Sequence, residues 1–202
     1  MSNIKTPGEQ AFMRTACRAS ARVLDEVIRQ VRPCVTTREL DDYAAECIKR
    51  LGGRSAFMGY KGYPRHSCIS VNEEVVHGIA SERALVFGDI VSVDVGVTVD
   101  GFIGDNATTV VVGECDLETQ KLIDVTEESL YAGISCAVAG NQVSDISRAI
   151  QNLVERNGFS VVREFVGHGV GRTMHEEPQV PNYVEPRKKS TQTNFLVRIG
   201  LR

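Results

Sequence analysis

The chain has 202 residues, 42% hydrophobic and 24% charged, with a net charge of −3. Such proportions suit one globular core and exclude a disordered chain, a collagen-like repeat and a small disulfide scaffold. A pI near 5.8 gives no overall basic field for nucleic acid, no apolar run reaches the roughly 18–20 residues of a membrane span, and Met1-Ser2-Asn3-Ile4-Lys5 lacks a secretory apolar core.

Thr6-Pro7-Gly8-Glu9 has the form of a capping box with proline at the first helical position. Phe12, Ala16, Val23, Val27, Ile28 and Val31 then keep roughly helical spacing, which predicts a helix over 7–31 that stops before Pro33. Thr36 and Glu39 repeat the capping pattern ahead of a second apolar stripe, Leu40, Ala44, Cys47, Ile48 and Leu51, closed by Gly52-Gly53. Residues 68–71, 74–79, 90–99 and 102–112 read as strands, and Asp100-Gly101 between the last two is a strong hairpin signal. Helices follow over 117–138 and 143–157, the second closed by Asn157-Gly158. A strand-like stretch, 159–166, leads to Gly167-His168-Gly169-Val170-Gly171 and a loop containing Pro178, Pro181 and Pro186.

The order helix, helix, strands occurs twice. At an offset of 106, Leu40, Ala44, Cys47, Ile48 and Gly52 fall on Ile146, Ile150, Leu153, Val154 and Gly158. This predicts an α+β fold of two similar halves. The six cysteines, at 17, 34, 47, 68, 115 and 136, form no C-x-x-C pair and read as free thiols of a reducing cytoplasm.

A two-residue turn at Asp100-Gly101 sets Asp105 opposite Gly96 and Asp94 opposite Ala107, all on one face. Asp94 and Asp105 then become diagonal neighbours, roughly 7–8 Å apart at Cα. Aspartate is depleted in strands. The face is therefore either a solvated one or one whose carboxylates converge on divalent ions, with Gly96 leaving room for them. There are four histidines. His66, beside Arg65 and Ser67, reads as structural. His77 (Val76-His77-Gly78-Ile79), His168 (between glycines) and His175 (His175-Glu176-Glu177-Pro178) are candidates for metal binding or proton transfer.

These residues carry a resemblance. Gly59-Tyr60-Lys61-Gly62-Tyr63-Pro64, Cys68-Ile69-Ser70-Val71-Asn72-Glu73, Val76-His77-Gly78-Ile79, Val93-Asp94-Val95, Asp100-Gly101-Phe102, Gly104-Asp105, Gly158 to Glu164, Gly167-His168-Gly169 and His175-Glu176-Glu177-Pro178-Gln179 resemble the type I, bacterial-type methionine aminopeptidases from about residue 4 to 186. The resemblance implies one catalytic domain, 1–202, with the pita-bread fold of creatinase and the aminopeptidases: pseudo-two-fold halves of antiparallel strands covered by helices. It implies two divalent ions (Co, Mn, Fe or Zn) that activate a water. Asp94 and Asp105 would be ligands of the ions, Asp105 bridging them, with His168 on the other ion. His77 would contact substrate and stabilise the transition state, and His175 would hold the scissile carbonyl oxygen. Tyr60, Tyr63, Cys68 and Met174 would border the pocket for a methionine side chain. The implied reaction removes the initiator methionine from nascent chains with a small second residue, in the cytoplasm and at the ribosome, by a chain that is a monomer if complete, with no membrane partner and no recognition of nucleic-acid sequence.

The family has two further glutamate ligands in the last part of its fold. The first would fall at Leu201, and the repeat partner of Asp94 is Gly200, so the C-terminal part of the family domain is expected to be missing. Residues 187–202 hold five basic residues and no acidic one, an atypical tail. The alternative function is accordingly a non-catalytic pita-bread binding module or an inactive truncated copy.

Overall fold

Proline opens α1 (Pro7–Ile28), where its missing N–H costs no intrahelical bond. The helix ends three residues short of the expected 31, because Gln30 and Val31 donate to Val27 and Ile28 in tightened turns ahead of Pro33. α2 (Thr37–Arg50) begins at the expected capping box: the Glu39 N–H donates to Thr36 Oγ1 at 3.1 Å and the Thr36 N–H to Glu39 Oε2 at 2.7 Å. The computed structural model describes residues 4–184, so the basic tail and the segment expected to hold further ligands lie outside the described residues. The contacts divide into two compact units.

The first unit comprises Pro7–Cys115 with Gly171–Met174. Its sheet is antiparallel and centred on β3, with β1 (Arg54–Ser55), β2 (Cys68–Val71), β3 (Ile90–Val99) and β4 (Phe102–Val111). β1 and β2 pair along one edge of β3, and β4 pairs along the other. Asp100 and Gly101 take φ of 51° and 76°, the left-handed values of a type I′ turn, and this fixes the expected register. One face of β3 is dry. Val91, Val93, Val95 and Val97 are fully buried against Val23 and Val27 of α1 and Leu40, Ala44 and Cys47 of α2. Each such valine contributes about 1.5–3 kcal/mol by leaving water, so this face sets how the helices dock. Ser20 ties the same contact together: its hydroxyl donates to the Val95 carbonyl (3.0 Å) and accepts from the Asn106 amide (2.8 Å).

Residues 74–79 are not a strand. Asn72 and His77 take φ of 58° and 60°, values that a β-ladder does not accept. Glu74 turns its carboxylate back to the Val71 N–H. Only Gly78 makes strand-like contact, its carbonyl accepting from the Ile69 N–H at 3.0 Å.

The second unit comprises, among described residues, 4–6, Asp116–Val170 and 175–184. α3 (Leu117–Ser135) starts at Asp116, whose Oδ1 accepts from the Glu118 and Thr119 N–H groups. It stops before the expected 138. The Cys136 N–H turns back to Gly133, and the Asn141 side chain takes the Cys136 carbonyl. α4 (Val143–Arg156) packs Ile146 and Ile150 against Gly133 of α3.

The internal repeat is present in backbone detail. α2 and α4 have the same length and lie 106 residues apart at both ends. Both close in a Schellman motif: the Gly52 and Gly53 N–H groups reach Lys49 and Ile48, and those of Gly158 and Phe159 reach Glu155 and Val154. Gly52 and Gly158 hold the left-handed position at φ 72° and 90°.

Residues 159–166 are not part of a ladder. Alternation in sequence fixes which face a residue would take, not whether a neighbouring strand lies alongside. The expected loop after His175 instead contains a strand. β5 (Gly167–Gly169) pairs antiparallel with β6 (Glu176–Val180), with a bulge between His168 and Gly169. Pro178 is accommodated because a two-stranded pair has only edge positions.

Candidate active site

The second face of β3 and β4 carries the polar groups. Period two puts Asp94, Gly96 and Thr98 on it from β3, and Ile103, Asp105 and Ala107 from β4. β2 adds Cys68 directly opposite Asp94. The carboxyls of Asp94 and Asp105 hydrogen-bond to each other. Asp94 is held well above the ordinary carboxylate range, chiefly by burial, then by the charge of Asp105 and that shared bond. Two acidic groups are thus held together where burial and each other's charge oppose ionisation. A divalent cation satisfies such a pair better than a proton does.

Beside the pair lies a small apolar wall of Phe57, Cys68, Ile103 and Met174, with Tyr60 and Tyr63 packed against it. The ring of Tyr63 meets that of Phe57 edge-on at 6.5 Å. Its hydroxyl donates to the Gly78 carbonyl at 2.8 Å, with the Ser67 carbonyl 3.2 Å away. Burial raises the Cys68 thiol to about 12, and the charges of Asp94 and Asp105 add to the shift. Burial also pushes the Tyr63 phenol upward. Thiol and phenol therefore stay neutral near pH 7, and the wall carries no charge beside the acid pair.

Gly96 plays a different part from the one expected. The space above it is not left for ions, because a Cβ there would stand 2.5 Å from Phe57 Cε1 and 3.1 Å from Ala56 Cβ. The glycine seats the Phe57 ring. Phe57 and Ile103 are site residues that sequence reasoning missed. Ile103 had a signal, since it shares the face of Asp105 by period two. Phe57 had none, because its place depends on a tertiary contact.

Asp41 was also missed. It is buried, and its Oδ1 accepts from the His66 N–H, the Ser67 N–H and the Ser67 hydroxyl at 3.0, 2.7 and 2.8 Å. These bonds hold the chain entering β2 and so aim Cys68. His66 takes part through its backbone, in keeping with a structural role. His77 is exposed on the loop tied to the outer edge of β2. Gly78 beside it is pressed so close that a Cβ would stand 2.2 Å from the Ile69 carbonyl oxygen.

In the second unit, His168 and His175 come together, with ring centroids 4.1 Å apart. His168 Nδ1 lies 2.9 Å from the Gly169 carbonyl oxygen. A carbonyl only accepts, so Nδ1 carries the proton and Nε2 the lone pair. This is the usual orientation of a metal-binding imidazole. Among the described residues, no group of three or more His, Cys, Asp or Glu side chains is gathered closely enough to hold a metal ion. Within the first unit, two adjoining carboxyls are donors that suit a divalent metal, and within the second the His168 imidazole presents Nε2 for ligation.

The sequence pattern of Metallopeptidase family M24 matches residues 11–198. The chain belongs to this family. Within M24, it is 48% identical to methionine aminopeptidase 1 of Bacillus subtilis over 184 residues, which is 91% of this chain and 74% of that protein. Among solved structures it is similar to the methionine aminopeptidase of Rickettsia prowazekii, at 36% identity and a TM-score of 0.90, covering 95% of this chain and 77% of that one. The prolidase of Pyrococcus furiosus shares the fold at 21% identity and a TM-score of 0.79, covering 93% and 54%. The M24 fold of these relatives is the pita-bread fold expected from the sequence.

Proposed function

We propose that this chain is a metal-dependent aminopeptidase, with residues 1–202 one catalytic domain, that removes methionine from the N-termini of nascent polypeptides with a small second residue. The observation that carries the reading is the face of β3 and β4, where a carboxyl pair adjoins a neutral, sulfur- and aromatic-lined wall. Such a wall suits an unbranched thioether side chain. The identity to methionine aminopeptidases supports the same reading. Proposed with it are action in the cytoplasm at the ribosome, as a monomer if the chain is complete, with no membrane partner and no recognition of nucleic-acid sequence.

Asp94, Asp105 and His168 would hold two divalent ions, of Co, Mn, Fe or Zn. When bound, such a metal supplies a water acidic enough to attack at neutral pH and a Lewis acid for the scissile carbonyl. The chain's own residues do the rest. Phe57, Cys68, Ile103 and Met174, with Tyr60 and Tyr63, exclude water from the methionine side chain and fix its depth. His77 and His175 donate hydrogen bonds to the substrate, His175 to the oxygen on which negative charge develops. Gly78, packed against β2 and bonded to the Ile69 N–H, anchors the loop that carries His77.

The test is release of free methionine from a Met-Ala-Ser peptide by purified protein with added Mn²⁺ or Co²⁺. Turnover is expected with metal, and it should disappear with a chelator and in Asp105→Asn. Release no faster than in a protein-free control at every metal tried refutes the proposal.

A further inference from the structure

The outer edge of β4 has a phase that the hairpin fixes. Val99 and Phe102 form the closing hydrogen-bonded pair of the two-residue turn. Antiparallel pairing then alternates, so Gly104, Asn106, Thr108 and Val110 turn their backbone groups toward β3. Asp105, Ala107, Thr109 and Val111 turn theirs outward. Ile103 shows this outward phase, since its N–H donates to the Gly171 carbonyl at 2.8 Å. The outward residues are also those of the acid face, because side chains alternate with the same period. The other parity faces α1, where the Asn106 amide donates to Ser20 at 2.8 Å.

At Ala107 and Thr109 that edge is open. Among the described residues, their outward N–H and C=O groups have no partner, and Ala107 is exposed. Such an edge is a template for another extended chain. It is closed at one end only, by Gly171 at Ile103, beside the apolar wall to which Ile103 and Met174 belong. From Asp105 to Val111 it runs roughly 20 Å, the length of about six extended residues. Charge sets the polarity of what fits. The negative charge that Asp105 brings to this face attracts an α-ammonium group and repels a terminal carboxylate.

We propose that the open edge of β4 binds the substrate chain itself: the peptide beyond the scissile bond adds to the sheet as a strand parallel to β4, through the backbone of Ala107 and Thr109. The inference rests on the proposed reaction for its occupant. With the N-terminus at Asp105 and the edge closed at Ile103, the chain leaves toward Val111, in the direction of β4. In a parallel pair, one residue bonds to two flanking residues of its neighbour. A substrate residue opposite Thr108 therefore donates its N–H to the Ala107 carbonyl and accepts from the Thr109 N–H. The substrate residues on either side of it point their backbone groups away. Recognition of this kind reads main chain rather than side chains, which suits polypeptides of varied sequence.

The test uses Met-Ala-Ser and the heptapeptide Met-Ala-Ser-Thr-Val-Thr-Val, the latter also with a single N-methyl group at its third, fourth, fifth or sixth residue. With Mn²⁺ or Co²⁺, the heptapeptide is expected to exceed Met-Ala-Ser in kcat/KM by about tenfold or more, the effect of two or three added main-chain bonds. N-methylation should cost about fivefold or more at residues of one parity and less than about twofold at the other. Ala107→Pro removes an outward N–H that takes no part in the β3–β4 ladder, a place where an edge strand accepts proline. It should reduce the advantage of the heptapeptide to within about twofold. In chelator-treated protein, the heptapeptide should slow hydrogen exchange at the Ala107 and Thr109 amides by about threefold or more. The Thr108 amide, already bonded to β3, should not change. No preference for the heptapeptide, an N-methyl cost without alternation, or a preference that survives in folded Ala107→Pro overturns the proposal. So does a concentration-dependent dimer that Ala107→Pro abolishes, since the edge then belongs to a second copy. If Ala107→Pro fails to fold, the N-methyl series and the exchange on the unsubstituted protein decide. Absence of turnover with every peptide refutes the proposed reaction instead. Protection of the two amides then upholds the edge site, and its absence overturns it.

Discussion

Gly96→Ala tests whether the acid face is shaped by the seating of Phe57. The added methyl would stand 2.5 Å from Phe57 Cε1, 2.9 Å from Cδ1 and 3.1 Å from Ala56 Cβ. Carbon atoms prefer about 3.5–4.0 Å, so the ring has to retreat by about 1 Å. Phe57 is 7% exposed and packs with Cys68, Ile103 and Met174, so the retreat pushes it into the wall of the proposed pocket. Overpacking of this kind costs about 1–3 kcal/mol. For a chain of this size that is a fall in melting temperature of about 2–4 °C per kcal/mol. Thermal and urea unfolding measure it directly. The mechanism also predicts coupling. Phe57→Leu removes the ring edge that the methyl strikes, so the double variant should recover about 1 kcal/mol relative to the sum of the singles. A Gly96→Ala protein as stable as the parent, or strictly additive singles, would show that the ring does not bear on Gly96.

Two more outcomes follow from buried carboxylates. The Asp94 carboxyl is raised in the fold from its ordinary 3.8, so ionising it opposes folding. Metal-free protein should therefore lose stability as pH rises from about 3.8 through the raised folded value. Asp94→Asn removes the penalty, and is expected to melt higher than the parent near pH 7 in chelator, with the gap closing toward about pH 4. A lower melting temperature for the variant at neutral pH would contradict this sign. Asp41→Ala strands the Ser67 hydroxyl and two backbone N–H groups in a buried place. It should cost about 2–4 kcal/mol, read as a shift of the urea midpoint, and a loss below about 1 kcal/mol would show that the loop has other support.

Much of this is legible in the sequence. Thr36-Glu39, Gly52 and Gly158 act through their own backbone or one a few residues away, so the starts and stops of α2 and α4 follow from local chemistry. The Asp100-Gly101 turn is local too. Once its two positive φ values are set, every pairing of β3 with β4 follows, and Asp94 and Asp105 must share a face. The offset of 106 is visible because equal helices need equal stripes and equal caps.

What failed to read from sequence was non-local. Residues 74–79 and 159–166 have strand composition, yet a strand also needs a neighbour, and composition does not supply one. The β5–β6 pair was hidden by Pro178, whose prohibition holds only inside a wider sheet. Phe57 on Gly96 and Asp41 under Ser67 join residues far apart in the chain. Sequence by itself determined the four helices, the hairpin register and the acid pair, because bonds between near neighbours enforce them. Tertiary structure alone decided what covers Gly96, what aims Cys68 and what brings His168 beside His175, because those contacts exist only when separate segments are packed together.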